Sequence, residues 1–407
     1  MPLLSSALKS IENETFGIQL DEKLKRIVAS KKSMSGEHVT EQSAMRLGAV
    51  YACVQILTKT LAMTPLILYK RVKNGKERAT NHPLYNVLRY QATKTMPAFQ
   101  LKESMMMGNT LSGNSYAFIV KSKLTNQTIG LKYIPHQYCK PQLKNGEIIY
   151  TVTEDEKSTD HPFEDILHIP SLGYDGLTGL SPIDVSREII GNGIATQNFG
   201  NSFFRNGAKL SGTFEHPNTL SDPAFERLKK DLNEQYNAAN ANKTMILEEG
   251  MKFNPISITP DQAQFLDTMK FNVGNIARIF GVPPHMIGDL ERATFSNIEQ
   301  QSIEFVMYTM LPWFARWEQF INFKCLNEKE REQGYFVEFM VDYLLRGDSN
   351  SRSNMLHLMR QDGVINGNEW RAKENMNEMP DGQGSLYFIN GNMTPLSKIG
   401  GIENAEE

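Results

Sequence analysis

The residues that could do chemistry are few and scattered. The chain holds 8 histidines and 3 cysteines. His82, His161 and His216 each precede a proline, which pushes them toward extended or turn backbone and suits turn chemistry better than metal ligation. His161 and His168 lie seven positions apart around a strand-like stretch, so a metal pair there stays open. Cys53, Cys139 and Cys325 stand far apart with no CxxC, against a disulfide scaffold or zinc finger and in keeping with a reducing cytosol. There is no HExxH, no GxSxG and no evident Cys–His dyad. Asn206-Gly207-Ala208-Lys209 lacks the first glycine and the Ser/Thr of a phosphate-cradling loop. Gly191-Asn192-Gly193 lacks the third glycine of a dinucleotide fingerprint and falls inside a helical pattern. Glu248-Glu249 and Asp165 read as solvated carboxylates. Acid–base sites are assembled in space, so missing motifs exclude little. Still, nothing in the pattern asks for an enzyme, and no catalytic, cofactor-binding or metal residue is assigned.

The elements that would position any site are clearer. Residues 1–39 have little apolar periodicity beyond a basic stretch, Lys23, Lys25, Arg26, Lys31 and Lys32, and read as a flexible arm. Leu47, Val50, Val54, Leu57 and Leu61 recur at helical spacing and predict an amphipathic helix ending before Pro65. A β-rich block follows. Strands are predicted at Leu66 to Val72, Tyr116 to Val120, Ile148 to Val152 and Phe163 to Ile169, with turns at Asn74-Gly75 and Asn145-Gly146. Phe99 to Leu111 reads as a helix between them, so 40–180 forms one α+β domain.

Ser181-Pro182, with Asp184, opens a helix to about Asn206. It carries Gly191, Gly193 and Gly200, each costing about 1 kcal/mol against alanine. Either a neighbouring backbone approaches closely there, or the helix is broken at the glycines. Residues 207–258 read as a small inserted α/β unit, with a helix striped by Phe225, Leu228, Leu232 and Tyr236 and strands at Thr244 to Leu247 and Phe253 to Ile258. Asn237 to Asn242 is an exposed loop. Thr259-Pro260-Asp261-Gln262 then caps a helix of about 30 Å with Phe265, Met269, Ile276 and Phe280 on one face. Gly281 and Pro283-Pro284 end it. The loop to Phe295 exceeds an ordinary helix connection. Ser296-x-x-Glu299 caps a helix of about 45 Å to Asn327, striped by Val306, Met310, Phe314, Trp317 and Ile321 and kinked at Pro312. A strand at Phe336 to Val341 and helices near 349–361 and 368–376 complete the pattern, before a Gly-rich, acidic tail.

Composition bounds the function. A chain of 407 residues implies two or three domains at about 150 residues each. Apolar residues at 40% and charged residues at 22% exclude a wholly disordered protein. Lys plus Arg is 43 against Asp plus Glu 46, a balance of -3, unlike a chain that holds DNA tightly by phosphate neutralisation. No apolar run is long enough for a membrane span, and Met1 to Ser10 is too short and weakly apolar for a signal peptide. The 20 methionines read as gap-filling core.

Several stretches carry a resemblance. Ala49-Val50-Tyr51-Ala52-Cys53-Val54, Asp175-Gly176-Leu177-Thr178-Gly179-Leu180-Ser181-Pro182 and Phe203-Phe204-Arg205-Asn206-Gly207-Ala208 resemble the portal proteins of tailed bacteriophages, siphophage type. So do Ala277-Arg278-Ile279-Phe280-Gly281-Val282-Pro283-Pro284-His285, the run from Asp289-Leu290-Glu291-Arg292 to Ser296-Asn297-Ile298-Glu299-Gln300-Gln301, and Leu344-Leu345-Arg346-Gly347-Asp348. They fall in the same order over roughly 40–395.

The resemblance implies an α+β portal fold assembled as a ring, usually a dodecamer, at one capsid vertex of the virion, built in the host bacterial cytoplasm. Double-stranded DNA would be packaged and later ejected through it. The implied partners are the terminase large subunit, which supplies the ATPase, then the head–tail adaptor, with the major capsid protein and scaffold; no cofactor and no membrane are implied. By position, 40–180 resembles the wing, and 181–206 and 259–280 the stem helices. The clip would be 207–258, with Lys229 and Lys230 as partner-binding residues. The tunnel loop would be 281–296, bringing Pro283, Pro284, His285, Asp289, Glu291 and Arg292 to the DNA. The long kinked helix and a wing strand would occupy 297–344, the crown helices 345–395 and a flexible tail 396–407. Two other readings remain open: a nuclease with a spatially assembled acidic site, and another phage ring or scaffold protein.

Overall fold

The computed structural model describes residues 32–73, 75–144, 146–205, 212–215, 221–235, 251–255, 262–290, 295–341, 344, 349–374 and 376–388. The arm up to residue 31, the stretch 237–242, the strand expected at Thr244 to Leu247 and the tail after Asn390 lie outside these residues. The chain divides into two compact units, residues 1–340 and 341–407.

The first unit opens with α1 (Glu41–Met45), capped by Thr40, whose hydroxyl accepts from Ser43 N. Then comes α2 (Gly48–Met63), ending before Pro65 as the spacing predicts. Its stripe Val50, Val54, Leu57 and Leu61 is buried, as is Leu47 just ahead of it. The antiparallel hairpin of β1 (Leu66–Val72) and β2 (Gly75–Arg78) follows, with Gly75 at φ +128°.

Three elements follow that local sequence signals do not predict: α3 (Pro83–Arg89), β3 (Gln91–Thr93) and β4 (Met96–Pro97). His82 caps α3: its Nδ1 accepts from Leu84 N at 3.1 Å. That leaves the proton on Nε2, which donates to Glu330 Oε1 at 2.7 Å in a buried pair. Next, α4 (Ala98–Ser112) packs on α2 and buries Lys102, whose ammonium donates to Thr64 O at 2.9 Å. Burial, with a smaller push from Arg89, lowers the Lys102 pKa from 10.5 to about 7.

Six strands complete the block: β5 (Asn114–Lys121), β6 (Thr128–Ile134), β7 (Cys139–Lys144), β8 (Glu147–Glu154), β9 (Lys157–Pro162) and β10 (Ile166–Pro170). They form two antiparallel sheets, β10-β5-β6 and β7-β8-β9. Tyr116, Ile134, Cys139, Tyr150, Val152 and Ile166 form a core cluster across the two. The strand expected from Phe163 starts at Ile166, because Phe163–Asp165 forms a 3-10 turn. His161 and His168 meet different partners. His161 lies edge-on to Phe118 at 4.8 Å, whereas buried His168 stacks on Tyr116 at 4.4 Å and hydrogen-bonds the Tyr150 hydroxyl at 3.2 Å. Burial lowers the His168 pKa to about 3, so the ring is neutral near pH 7. All three cysteines are free and buried.

The helix expected over 182–206 is two: α5 (Pro182–Val185), capped by Ser181, and α6 (Arg187–Arg205). The break falls at Ser186 (φ -100°, ψ 22°) and not at the glycines. Beyond it lie β11 (Gly212–Glu215), α7 (Asp222–Gln235), β12 (Lys252–Pro255) and α8 (Gln262–Phe280). The expected long helix is interrupted: α9 (Phe295–Glu304) runs into a π-helical turn at Phe305–Met310 and then α10 (Leu311–Cys325). Pro312, second in α10, has no N–H and its ring crowds the preceding turn; the wider π turn accommodates both. The predicted stripe Val306, Met310, Phe314, Trp317 and Ile321 is buried throughout.

The unit closes with α11 (Glu328–Glu332) and β13 (Tyr335–Phe339). β13 returns to pair antiparallel with β1, giving the order β13-β1-β2 and tying the far end of the unit to its start. The second unit contains α12 (Ser349–Gln361) and α13 (Gly367–Lys373), the latter held by an Asn366/Glu369 capping box. Among the described residues no helix is long and apolar enough to cross a membrane.

Candidate functional site: a helix pair, its loop and an inserted module

α6 and α8 run antiparallel. Asn272 Nδ2 donates to Thr196 Oγ1 at 3.3 Å, and a Cβ on Gly193 would lie 3.3 Å from Leu47 Cδ1 and 3.8 Å from Ile276 Cδ1. A Cβ on Gly191 would sit 2.4 Å from the Ser33 side chain. The close approach expected at these glycines is therefore made by side chains of the same chain, and not by a neighbouring backbone.

Ser33 belongs to a segment expected to be part of the flexible arm. From Lys32 to Val39 it is instead docked on α6: Met34 N donates to Glu188 Oε2 at 2.9 Å and Asn198 Nδ2 to Glu37 Oε1 at 3.0 Å. Ser33 and Val39 are buried. The stripe expected along α8 holds at its C-terminal end, where Ile276, Ala277 and Phe280 are buried, but Met269 is 41% exposed.

The loop after α8 is more ordered than its proline start suggests. Gly281 leaves the helix at φ +65°. Val282 is buried and its N–H returns to Ala277 O at 3.0 Å. Pro283 is half-buried. Pro284 is exposed and opens a 3-10 turn, Pro284–Ile287, closed by Gly288 at φ +90°. Asp289 N donates to Pro284 O at 3.0 Å. His285 Nδ1–H donates to Gln301 Oε1 at 2.8 Å, and Nε2 lies 3.4 Å from the Ser302 hydroxyl. Thr309 Oγ1 donates to Gly281 O at 2.6 Å.

The turn is thus fastened to α9 and the π turn, residues that sequence spacing does not connect to it. Only the Pro-x-x-x-Gly frame of Pro284 and Gly288 hints at the turn itself. Among the described loop residues, 281–290, Asp289 is the one carboxylate and there is no Lys or Arg. Glu291 and Arg292 lie outside the described residues. α9 begins at Phe295, one residue before the Ser296 expected to cap it.

Between the two helices sits the inserted module. β11, which no sequence signal predicts, pairs antiparallel with β12 (Lys252–Pro255), and the rest of the strand expected at 253–258 lies outside the described residues. α7 matches its predicted position, and Phe225 on it is 53% exposed. Lys229 and Lys230 are exposed on α7, and Lys229 pairs with Glu226 at 3.6 Å. Among the described residues no three His, Cys, Asp or Glu side chains converge to hold a metal ion. The arrangement presents a paired-helix surface, an anchored loop and a small module inserted between the two helices in sequence.

Comparison with known proteins places this arrangement. The chain is 28% identical over 380 residues to the portal protein of Enterobacteria phage HK97, covering 92% of this chain and 88% of that protein. It is 32% identical over 373 residues to the probable portal protein of Streptomyces phage phiC31, covering 87% and 80%. Its fold is shared with an HK97-family phage portal protein from Corynebacterium diphtheriae at TM-score 0.56 and 14% identity, over 75% of this chain and 96% of that one. A chain from the neck of an empty gene transfer agent (GTA) particle computed with C6 symmetry matches at TM-score 0.59 and 21% identity, over 83% and 94%. The family model described as phage portal protein matches residues 48–375, and with that span, the two phage relatives and the shared fold, the chain belongs to the phage portal protein family.

Proposed function

We propose that this portal protein forms a ring, a dodecamer, at one vertex of the capsid, through which double-stranded DNA is packaged and later ejected. α6 and α8 act as the stem around the channel. The 281–296 segment acts as the tunnel loop, and 207–258 as the clip that docks the terminase large subunit and then the head–tail adaptor. Residues 40–180 with β13 act as the wing, facing the major capsid protein and scaffold, and 345–395 as the crown. The ring is built in the host bacterial cytoplasm and stays in the virion. It is a structural component; the energy for DNA movement comes from the terminase.

The observation that carries this reading is the order of parts: a helix, a small inserted module, a second antiparallel helix, an anchored loop and a long broken helix, within a family match that spans most of the chain. The loop chemistry supports it. DNA that must slide is poorly served by deep wells at each phosphate, and the described loop residues offer no cation. Loop action is then steric, by Pro283, Pro284 and His285, with Asp289, Glu291 and Arg292 at its far end.

Loop-shortened particles test this. With residues 289–294 replaced by a short glycine linker, rings and procapsids should form, while packaged DNA length or its retention falls. Full, stable genomes in such particles would make the loop a passive connection.

A further inference from the structure

The distal half of the β1–β2 hairpin is exposed, although Arg71 N still donates to Gly334 O at 2.9 Å. Leu66 to Tyr69 are buried, whereas Arg71 to Lys73 and Gly75 to Arg78 are all exposed. This ribbon carries Arg71, Lys73, Lys76 and Arg78 against one acid, Glu77, in a chain of net charge -3. The register sets Arg71 directly opposite Lys76, and Arg78 opposite Tyr69 on the same face. Like charges opposed across an antiparallel pair are destabilising. The Lys76–Glu338 pair and the Arg71 guanidinium 5.3 Å from the Phe336 ring offset this only in part. Cations on an edge strand guard against stray pairing, which accounts for Lys76 and Arg78 on β2. It does not account for Arg71, on the central strand β1, aimed at the same face.

We propose that this ribbon is a second DNA contact, separate from the channel loop, which binds the phosphate backbone of duplex DNA without regard to sequence. A two-stranded ribbon has the width of the major groove, and its cations then lie against the flanking phosphates. An acidic protein strand is the competing occupant, and the geometry favours it less. Added at the edge of β2, it would find a strand of only four residues, Gly75–Arg78, and would leave Arg71 uncovered.

The test uses the purified full chain and a short fluorescent duplex of random sequence, with binding followed by anisotropy across salt. Three phosphate contacts, from Arg71, Lys73 and Arg78, give a log–log salt slope of about -2.7, or roughly 40-fold weaker binding between about 50 and 200 mM. The triple variant Arg71→Gln, Lys73→Gln, Arg78→Gln changes only exposed side chains and should flatten the slope to near zero. The charge-keeping pair Arg71→Lys, Arg78→Lys should retain it. An unchanged slope in the triple variant, or no salt-dependent binding by the wild type, overturns the proposal. So does loss of poly-glutamate binding with DNA binding intact, which would assign the ribbon to an acidic protein. Micrographs of the same samples report ring formation, so failure of this inference is distinguishable from failure of the portal-ring reading.

Discussion

Replacing Lys102 by methionine should stabilise the chain, and by an amount that depends on pH. The ammonium is buried on α4, where it donates to Thr64 O. Its pKa falls from 10.5 to about 7, chiefly by desolvation. A tenfold change in proton affinity is worth about 1.4 kcal/mol, so keeping the group charged in the fold costs about 5 kcal/mol well below pH 7. Between about pH 7 and 10.5 the folded chain has shed the proton that the unfolded chain keeps. The unfolded state then binds more protons, stability rises with pH, and by pH 9 about 2 kcal/mol of the cost remains.

Methionine matches the lysine stem and removes this cost, but strands Thr64 O, a loss of about 1–3 kcal/mol. The variant should therefore be about 2–4 kcal/mol more stable at pH 6, and that advantage should shrink by about 3 kcal/mol at pH 9. Lys324, whose pKa is also lowered to about 7, titrates in both proteins and cancels in the difference. Urea unfolding followed by tryptophan fluorescence, at matched protein concentration, measures it. An advantage equal at pH 6 and pH 9 would mean that Lys102 does not lose its proton in the fold over this range.

Gly193→Leu should destabilise the subunit by about 1–3 kcal/mol through overpacking against Leu47 and Ile276, so any loss of rings should come with an earlier urea midpoint. Rings lost at unchanged subunit stability would instead place Gly193 between subunits. Charge reversal at Lys229 and Lys230 should weaken terminase docking several-fold in a pull-down without abolishing rings, and unchanged docking in the double variant would move that interface elsewhere. Arg292→Ala should reduce packaged DNA less than loop shortening does, as gel analysis of packaged genomes would show; an equal loss would make phosphate contact the main action of the loop.

The legible parts of the fold are those where one local signal agrees with burial. The stripe of α2 and the stripe from Val306 to Ile321 are unbroken runs at helical spacing, and every member is buried. The hairpin turns at Gly75 and Gly146 adopt positive φ, as their Asn-Gly pairs require. What was not legible depends on pairing. β7 contains Pro141, which argues against a strand, yet it is an edge strand where a missing N–H is tolerated. β9, Lys-Ser-Thr-Asp-His-Pro, has no apolar alternation and is held by its ladder to β8. His82-Pro83 reads as a turn, but the same residues cap α3. At the candidate site, the prolines and Gly281 marked where α8 stops. The ties from His285 to Gln301 and from Thr309 to Gly281 join residues 16 and 28 positions apart, which no local pattern encodes.

Ring assembly is decided by electron microscopy of the purified full chain, with mass measured on the same sample. The expected particles are closed rings with a central channel wide enough for duplex DNA and a mass equal to twelve subunits. Monomers, or particles with no central opening at concentrations where the protein is fully folded, would contradict it.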